Sequence, residues 1–402
     1  MSSATPALPF DRPNPLEPPP AYAELRDRAP VARVVTPEGQ PAWLVTSYDA
    51  AATVLADPRF AVTPPGGGYP GNDSLFQDGP AHARLRRLVG RAFTPRHLAG
   101  LRPRVEEAAA GHVAAMVAAG PPADLVAALA APLSIAVVGE LLGVRIDEHA
   151  RLRRLADAAL TGKAPDPDGV RAVQPDGRPG VVLVEQAWAE LAAYAAELVA
   201  AKRDRLADDL LSALITVRDA EDGRLGDGEL VTMVTTLVAS GYLSSCNAIC
   251  TGVAQLAVAG RLSDLTGDDE RVESAVEEVL RHQSGLTGEA LPRWARQDLD
   301  LAGVRVAAGE MLLVRLAAAN RDPARFPYPD RFDPDRKPNP HLAFGRGPHH
   351  CLAAPLARIE VAAALRALAL GLPGLRLAGP VEEIPWVDGA VDSGPTALHV
   401  TW

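Results

Sequence analysis

One short stretch near the C-terminal end of the chain, residues 341–358, constrains its structure more than any other: HLAFGRGPHHCLAAPLAR. It holds Cys351 immediately before an alanine-rich segment that predicts a helix. The glycines at positions 345 and 347 allow a tight turn that brings the backbone close to a ligand. Because exposed amides at a helix N-terminus favour an anion, we expect Cys351 to be held as the thiolate, the form that binds a metal.

Position by position, the stretch resembles the haem-binding loop of the cytochrome P450 family, and the residues in register are Phe344, Gly345, Gly347, His349 and Cys351. A cysteine thiolate on haem iron favours cleavage of the O–O bond. The resemblance therefore implies haem b as cofactor, with Cys351 as iron ligand and catalytic residue. A lone cysteine after such a turn would otherwise be a small buried hydrophobe. The family usually has glycine where this chain has Ala353, which implies tighter packing beside the sulfur.

Donors suited to the haem carboxylates occur elsewhere in the chain. His82 and Arg86 lie four residues apart in a segment that predicts a helix, so both side chains point to one side. Taken alone, the pair would indicate a solvated basic face. The resemblance places His82, Arg86, Arg293 and His349 where the family binds the two haem propionates. It also places Phe344, Gly345 and Gly241 against the cofactor.

A carboxylate and a guanidinium three residues apart, Glu278 and Arg281, share one face of a predicted helix. Such a pair on a surface contributes only about 0.2–0.5 kcal/mol. A later segment, 329–332, resembles the family segment whose arginine, here Arg331, joins the pair and locks the coil behind the haem. We interpret this network as structural.

The uncharged run 230–260 has the length of a membrane span, but its many hydroxyl and amide side chains argue against contact with lipid. We interpret it as a long helix buried at the centre of the protein. Most family members carry a carboxylate followed by a threonine at its oxygen-binding face, where the pair helps protons reach oxygen. This chain has Leu243 and Ser244. Ser244 keeps a hydroxyl and is the second catalytic candidate, whereas leucine cannot relay protons.

Two kinds of chemistry remain open at this helix. Water or polar groups of the substrate could deliver protons, so that ordinary hydroxylation survives. Alternatively, the enzyme couples or cyclises its substrate, forming a C–C, C–N or C–O bond without net insertion of oxygen. From a different class, a non-catalytic haem- or ligand-binding protein could keep the same fold.

The resemblance also outlines a substrate pocket above the haem. It is formed by the loop at 68–76 and by residues of three other segments: Thr236, Ala239, Ser240, Leu243, Glu289, Ala290, Leu291 and Val391. This mixed lining suits a mid-sized, partly polar specialised metabolite better than a plain alkane.

Composition and element patterns predict a mainly α protein with small β-sheets, and the resemblance implies the cytochrome P450 fold. The 402 residues are 48% hydrophobic and 22% charged, as in ordinary globular chains. Two β-prone runs at 31–35 and 42–46 predict a hairpin. We expect a proline-rich segment at 1–22, without the features of a signal peptide, and a single haem-thiolate catalytic domain at 23–402.

The charge balance bears on partners. A net charge of −10 argues against nucleic-acid binding, and three cysteines fit a reducing cytosol. We therefore expect a cytoplasmic monomer that does not bind membranes. Basic residues are nevertheless concentrated around the cysteine loop and in one segment: Arg84, Arg86, Arg87, Arg91, Arg96, Arg102, Arg104, Arg346 and Arg358. Such a patch favours an acidic electron donor, and the resemblance implies ferredoxin, supplied by an NAD(P)H-dependent ferredoxin reductase, together with O2.

Overall fold

The computed structural model describes residues 5–67, 74–90, 93–161, 181–216, 218–219, 223–283, 292–388 and 393–402. Helices dominate. They are α1 (Ala21–Arg28), α2 (Tyr48–Ala56), α3 (Gly79–Gly90), α4 (Pro95–Ala119), α5 (Ala131–Leu142), α6 (His149–Thr161), α7 (Val181–Asp204), α8 (Leu210–Thr216), α9 (Asp227–Val258), α10 (Asp269–Gln283), α11 (Leu316–Ala319) and α12 (Ala354–Gly371). The prediction of a mainly α chain is confirmed.

The strands are short. They are β1 (Val31–Val35), β2 (Pro41–Val45), β3 (Phe60–Ala61), β4 (Ala123–Asp124), β5 (Arg218–Asp219), β6 (Gly223–Arg224), β7 (Arg293–Ala295), β8 (Leu299–Leu301), β9 (Val304–Val306), β10 (Met311–Val314), β11 (Arg376–Leu377), β12 (Trp386–Asp388), β13 (Ser393–Pro395) and β14 (His399–Thr401). The largest sheet has the order β1-β2-β10-β7-β3. A second sheet has the order β11-β14-β4, and the remaining strands form two-stranded pairs.

The predicted N-terminal hairpin is present, with Val31 opposite Val45 and Val35 opposite Pro41. Gly39 has a φ of 80°, a conformation that glycine adopts without steric cost. Sequence patterns did not predict that β10 would pair in parallel with β2 and antiparallel with β7. This pairing brings Arg293, at the start of β7, into the largest sheet.

The uncharged run forms α9, a continuous helix of 32 residues. It packs against α5, α6, α7, α10 and α12. Within the described ranges α9 is the one helix long and apolar enough to cross a membrane. Inside the protein, 72% of its apolar 18-residue stretch is buried. The interpretation of this run as a buried central helix is therefore confirmed.

The coil that precedes the cysteine loop is held by the side chain of Glu278, which is fully buried on α10. Its carboxylate accepts hydrogen bonds from Arg281 Nε and Nη2, each at 2.8 Å, and from the backbone N–H of Asp333 at 2.8 Å. The third arginine was predicted to be Arg331. The guanidinium that reaches Glu278, at 3.2 Å, belongs instead to Arg336.

Arg331 joins this network through its carbonyl oxygen, which accepts from Arg336 Nη2 at 2.9 Å and from Arg281 Nη2 at 3.3 Å. The physical reason is the path of the coil. The coil turns at 333–336, where the N–H of Arg336 donates to Asp333 O at 2.9 Å. The backbone of Asp333 faces the carboxylate, and the turn brings back to Glu278 the side chain three residues after Asp333, that of Arg336.

Candidate functional site

The cysteine loop is pressed against α2. Gly345 and Gly347 have φ values of 67° and 74°, in the left-handed region that favours glycine. A Cβ on Gly347 would lie 2.7 Å from Ala56 Cα and from Leu55 O, so the loop cannot accept a side chain there. The N–H of Cys351 donates to Phe344 O at 2.8 Å and closes the turn.

The sulfur of Cys351 lies just before α12. Burial raises the pKa of its thiol. The backbone N–H groups of Ala353 and Ala354 and the charges of Arg86 and Arg358 oppose this effect without overcoming it. The amides at the start of α12 therefore favour the thiolate, whereas desolvation of the sulfur favours the thiol. A metal cation at the sulfur would reverse the balance.

The residues around the sulfur fit a metal that takes one ligand from the protein and the others from an organic cofactor. Among the described residues, no group of three or more His, Cys, Asp or Glu side chains could hold a bare metal ion. Two backbone amides face the sulfur, and such hydrogen bonds tune a ligating thiolate. A porphyrin supplies four nitrogen ligands and needs one from the protein, so the residues present are compatible with haem.

The structure brings the four predicted propionate donors together. The rings of His82, on α3, and His349 stack with their centroids 4.2 Å apart. The positive charge of Arg293 acts on His349, and that of Arg86 acts on both histidines. Arg86 Nη2 donates to the carbonyl of His350 at 2.5 Å. Burial is the main cause that lowers the pKa of His82 to about 4. Burial also lowers the pKa of His349.

A carboxylate in this cluster was missed at the sequence level. Asp78 accepts hydrogen bonds from the backbone N–H groups of Val62 and Thr63, at 3.3 and 3.0 Å. Its Oδ1 lies 3.2 Å from His349 Nε2, and its Oδ2 lies 3.3 Å from Arg296 Nη2. The available signal was an acid four residues before His82, at the start of a predicted helix.

On α9, the predicted distal residues Thr236, Ser240 and Ser244 share one face. The hydroxyl of Ser244 donates to Ser240 O at 2.6 Å, and that of Ser240 donates to Thr236 O at 2.7 Å. Each serine oxygen therefore keeps lone pairs that can accept a hydrogen bond. Ala239 and Leu243 are partly buried against the helical core.

Gly241 has a packing role in the structure. A Cβ there would lie 3.1 Å from Val138 Cγ2 on α5, so this glycine allows α5 and α9 to approach closely. Several predicted pocket residues, namely Glu289, Ala290, Leu291 and Val391, lie outside the described residues, as does the loop at 68–73.

A second buried acid was also missed. Glu360, on α12, is 2% exposed, and burial raises its pKa to about 7. Ser134 Oγ on α5 donates to its Oε1 at 2.6 Å, and Ser245 on α9 is a second hydrogen-bonding partner. The sequence offered only a glutamate amid apolar helical residues.

Among the described residues, four arginines of the patch pair with acids, including Arg102 with Glu106 at 3.7 Å. Arg84 lies 2.6 Å from Glu229, Arg358 Nε lies 2.5 Å from Glu277, and Arg104 pairs with Glu140. Arg358 also stacks over Phe344 of the cysteine loop at 4.6 Å. A groove of about 790 Å³ opens beside this pair, between α4, α10 and α12. Its apolar floor includes Phe93, Leu98, Pro355 and Ile359, and its rim includes Arg102, Lys337, Glu270 and Glu273.

Comparisons with known proteins agree with this geometry. Residues 271–369 match the family model described as "Cytochrome P450". Mycinamicin IV hydroxylase/epoxidase of Micromonospora griseorubida is 40% identical and covers 100% of both chains. Nocardicin C N-oxygenase of Nocardia uniformis subsp. tsuyamanensis is 38% identical over 99% of both.

The fold agrees as well. The crystal structure of the LnmA cytochrome P450 hydroxylase from the leinamycin biosynthetic pathway of Streptomyces atroolivaceus S-140 superposes with a TM-score of 0.88. It is 37% identical and covers 99% of this chain and 100% of its own. With this identity along the whole length and this shared fold, the chain belongs to the cytochrome P450 family and is a bacterial P450 monooxygenase.

Proposed function

We propose that the protein binds haem b through Cys351 and oxidises a specialised metabolite with O2. The observation that carries the proposal is the convergence of two independent features. One is the glycine-shaped loop that presents a single buried sulfur. The other is the cluster of His82, His349, Arg86 and Arg293, which gathers cationic and hydrogen-bonding groups beside that loop. A dianionic cofactor that takes one ligand from the protein would require both.

The residues would act as follows. Cys351 would hold the iron, and the cluster would bind the propionates and so orient the cofactor. When bound, haem supplies the oxidative chemistry, while the protein supplies binding, orientation and exclusion of water. Ser244 would accept a hydrogen bond from water through its lone pairs, because its hydroxyl hydrogen is donated to Ser240 O. To donate to oxygen, the hydroxyl would have to rotate away from that carbonyl. Thr236, Ala239, Ser240 and Leu243 would form the α9 wall of the substrate pocket.

We further propose that ferredoxin delivers the electrons at the groove between α4, α10 and α12. The groove lies beside the Arg358–Phe344 stack, and therefore beside the cysteine loop. Since its arginines are mostly paired, the apolar floor would contribute more to docking than net charge. A ferredoxin reductase using NAD(P)H would complete the chain of electron transfer, in a cytoplasmic monomer with one catalytic domain, 23–402.

Leu243 favours a second candidate reaction, namely coupling or cyclisation without net oxygen insertion. Leucine packs into the helical core at the position where the family usually has an acid, and it cannot carry a proton. Such a reaction joins two substrate positions by removing two hydrogens and reduces O2 to two molecules of water with two protons and two electrons from the donor. Water or polar groups of the substrate would then have to supply the protons in place of an acid at this position.

A screen followed by an isotope measurement separates the candidates. We would first find a ligand by the spin-state shift that occurs when a bound molecule displaces water from the iron. We would then run turnover with that ligand under labelled O2. Monooxygenation predicts the label in the product, and an unlabelled product of unchanged oxygen content supports coupling. If no ligand supports consumption of reductant despite a normal thiolate spectrum, the protein is a non-catalytic haem-binding member of the fold.

A further inference from the structure

The N-terminal segment 5–20 is joined to the body of the protein near both of its ends. Near its start, Leu8 N–H donates to Val35 O and Val35 N–H donates to Pro6 O, each at 2.9 Å, so the segment extends the edge formed by β1. Near its end, Glu17 pairs with Arg321 Nη2 at 3.0 Å. Arg321 is 2% exposed, so this ion pair anchors the segment to a buried cation.

Arg12 lies between these anchors and organises the segment. Its guanidinium donates to Pro15 O at 2.5 Å and to Glu17 O at 2.8 Å, which folds the backbone around the side chain. The same guanidinium lies over the ring of Trp386, with Cζ 5.0 Å from the ring centroid. This distance is within the range of a cation–π contact. Arg12 therefore connects the N-terminal segment to β12.

The hairpin formed by β12 and β13 is in turn attached to α9. Trp386 Nε1 donates to Ser393 Oγ at 2.7 Å, and Asn247 Nδ2 on α9 donates to Ser393 O at 3.3 Å. A Cβ on Gly394 would lie 2.1 Å from Asn247 Oδ1, so the hairpin backbone lies directly on the helix. Asn247 comes three residues after Ser244, which places both side chains on one face of α9.

We propose that Arg12 is a positioning residue for the substrate pocket. Through Trp386 and Ser393, it fixes where the β12–β13 hairpin lies against α9, one helical turn from Ser244. The inference rests on the proposed function, since that function places the substrate beside Ser244. The N-terminal segment thereby takes part in ligand selection without touching the ligand.

The test uses full-length, haem-loaded protein and two iron-binding probes. Imidazole occupies only the space next to the iron, whereas the ring of 4-phenylimidazole extends into the pocket. We expect Arg12→Ala to change the dissociation constant of 4-phenylimidazole by about two- to fivefold, the range of one exposed cation–π contact. The dissociation constant of imidazole should stay constant.

Four further variants make the result specific. Arg12→Lys keeps a cation over the ring and should lie closer to wild type than Arg12→Ala. Trp386→Leu should reproduce the effect of Arg12→Ala, and the double variant should show no additional change, as expected for residues that act through one contact. Arg28→Ala, an exposed arginine on α1, is the matched control and should leave both probes unaffected.

The failures of the two proposals can be told apart. If the reduced carbon monoxide complex of wild type lacks the thiolate band, the proposed function itself fails. If that band is normal but Arg12→Ala lowers the melting temperature and leaves the ratio of the two dissociation constants unchanged, Arg12 is merely structural. Additive effects of Arg12→Ala and Trp386→Leu would likewise overturn the positioning role.

Discussion

Glu360 illustrates how a single buried group sets the pH dependence of a protein. It lies where α5, α9 and α12 meet, and its described hydrogen-bonding partners are two serine hydroxyls, Ser134 and Ser245. Neither partner is a cation, so desolvation dominates and raises the pKa of the carboxyl to about 7. The native protein therefore holds a proton that the unfolded chain releases at a lower pH.

We predict that Glu360→Gln changes the pH dependence of stability. Between the ordinary pKa of 4.5 and about 7, the native wild type binds a proton that the unfolded state lacks, so its stability falls as pH rises. Above about pH 7 this loss is complete. From about pH 4 to about pH 8, the variant should gain about 3 kcal/mol relative to wild type. Denaturant unfolding at several pH values measures this difference.

The exposed Glu382→Gln provides the control and should show no such gain. A Glu360→Gln variant whose stability runs parallel to that of wild type over the whole pH range would show that Glu360 is ionised in the native state.

At the scale of elements, the coil between α11 and α12 depends on α10. The described part of this coil lacks the regular hydrogen bonds of a helix or sheet. Instead, several of its groups donate hydrogen bonds to the carboxylate of Glu278. The carboxylate also accepts from Asn339 Nδ2 at 3.1 Å and from Arg336 Nε at 3.2 Å. Arg281 further donates to the carbonyls of Asn320 and Pro329, at 2.8 and 2.7 Å. One buried ion pair thus fixes the base of the cysteine loop.

We predict that Glu278→Gln destabilises the protein by about 3–5 kcal/mol, because it leaves Arg281 buried without its counter-charge. Equilibrium unfolding of the haem-loaded protein measures the loss, and haem release should become faster as the coil loosens. Glu273→Gln, on the exposed side of the same helix, should change stability by less than about 0.5 kcal/mol. Equal effects of the two substitutions would contradict a structural role for the network.

At the scale of the whole molecule, the negative net charge coexists with a paired set of arginines near the cysteine loop. Arg358 and Glu277 illustrate the arrangement: His341 and Arg358 bind this glutamate, and its pKa falls to about 2 even though burial opposes the fall. The face therefore carries local ion pairs around an apolar groove. The sequence shows that arginines are concentrated near the cysteine loop, but it does not show which acids pair with them.

The sequence predicted those elements that are defined by a clear hydrophobic periodicity or by a turn-forming residue. The hairpin at 31–45, the long central helix and the helix after Cys351 are all present. Contacts between distant segments were harder. Arg336 replaced Arg331 because the path of an irregular coil follows no period, and Asp78 and Glu360 were missed because their importance depends on burial.

The central claim is that Cys351 holds haem iron, and the optical spectrum of the reduced carbon monoxide complex tests it most directly. Wild type should show the long-wavelength Soret band of thiolate-ligated haem. Cys246→Ala, which removes a different buried thiol, should keep that band. Cys351→Ala should lose either the band or the haem. A Cys351→Ala protein that binds haem and shows the unchanged thiolate band would contradict the account.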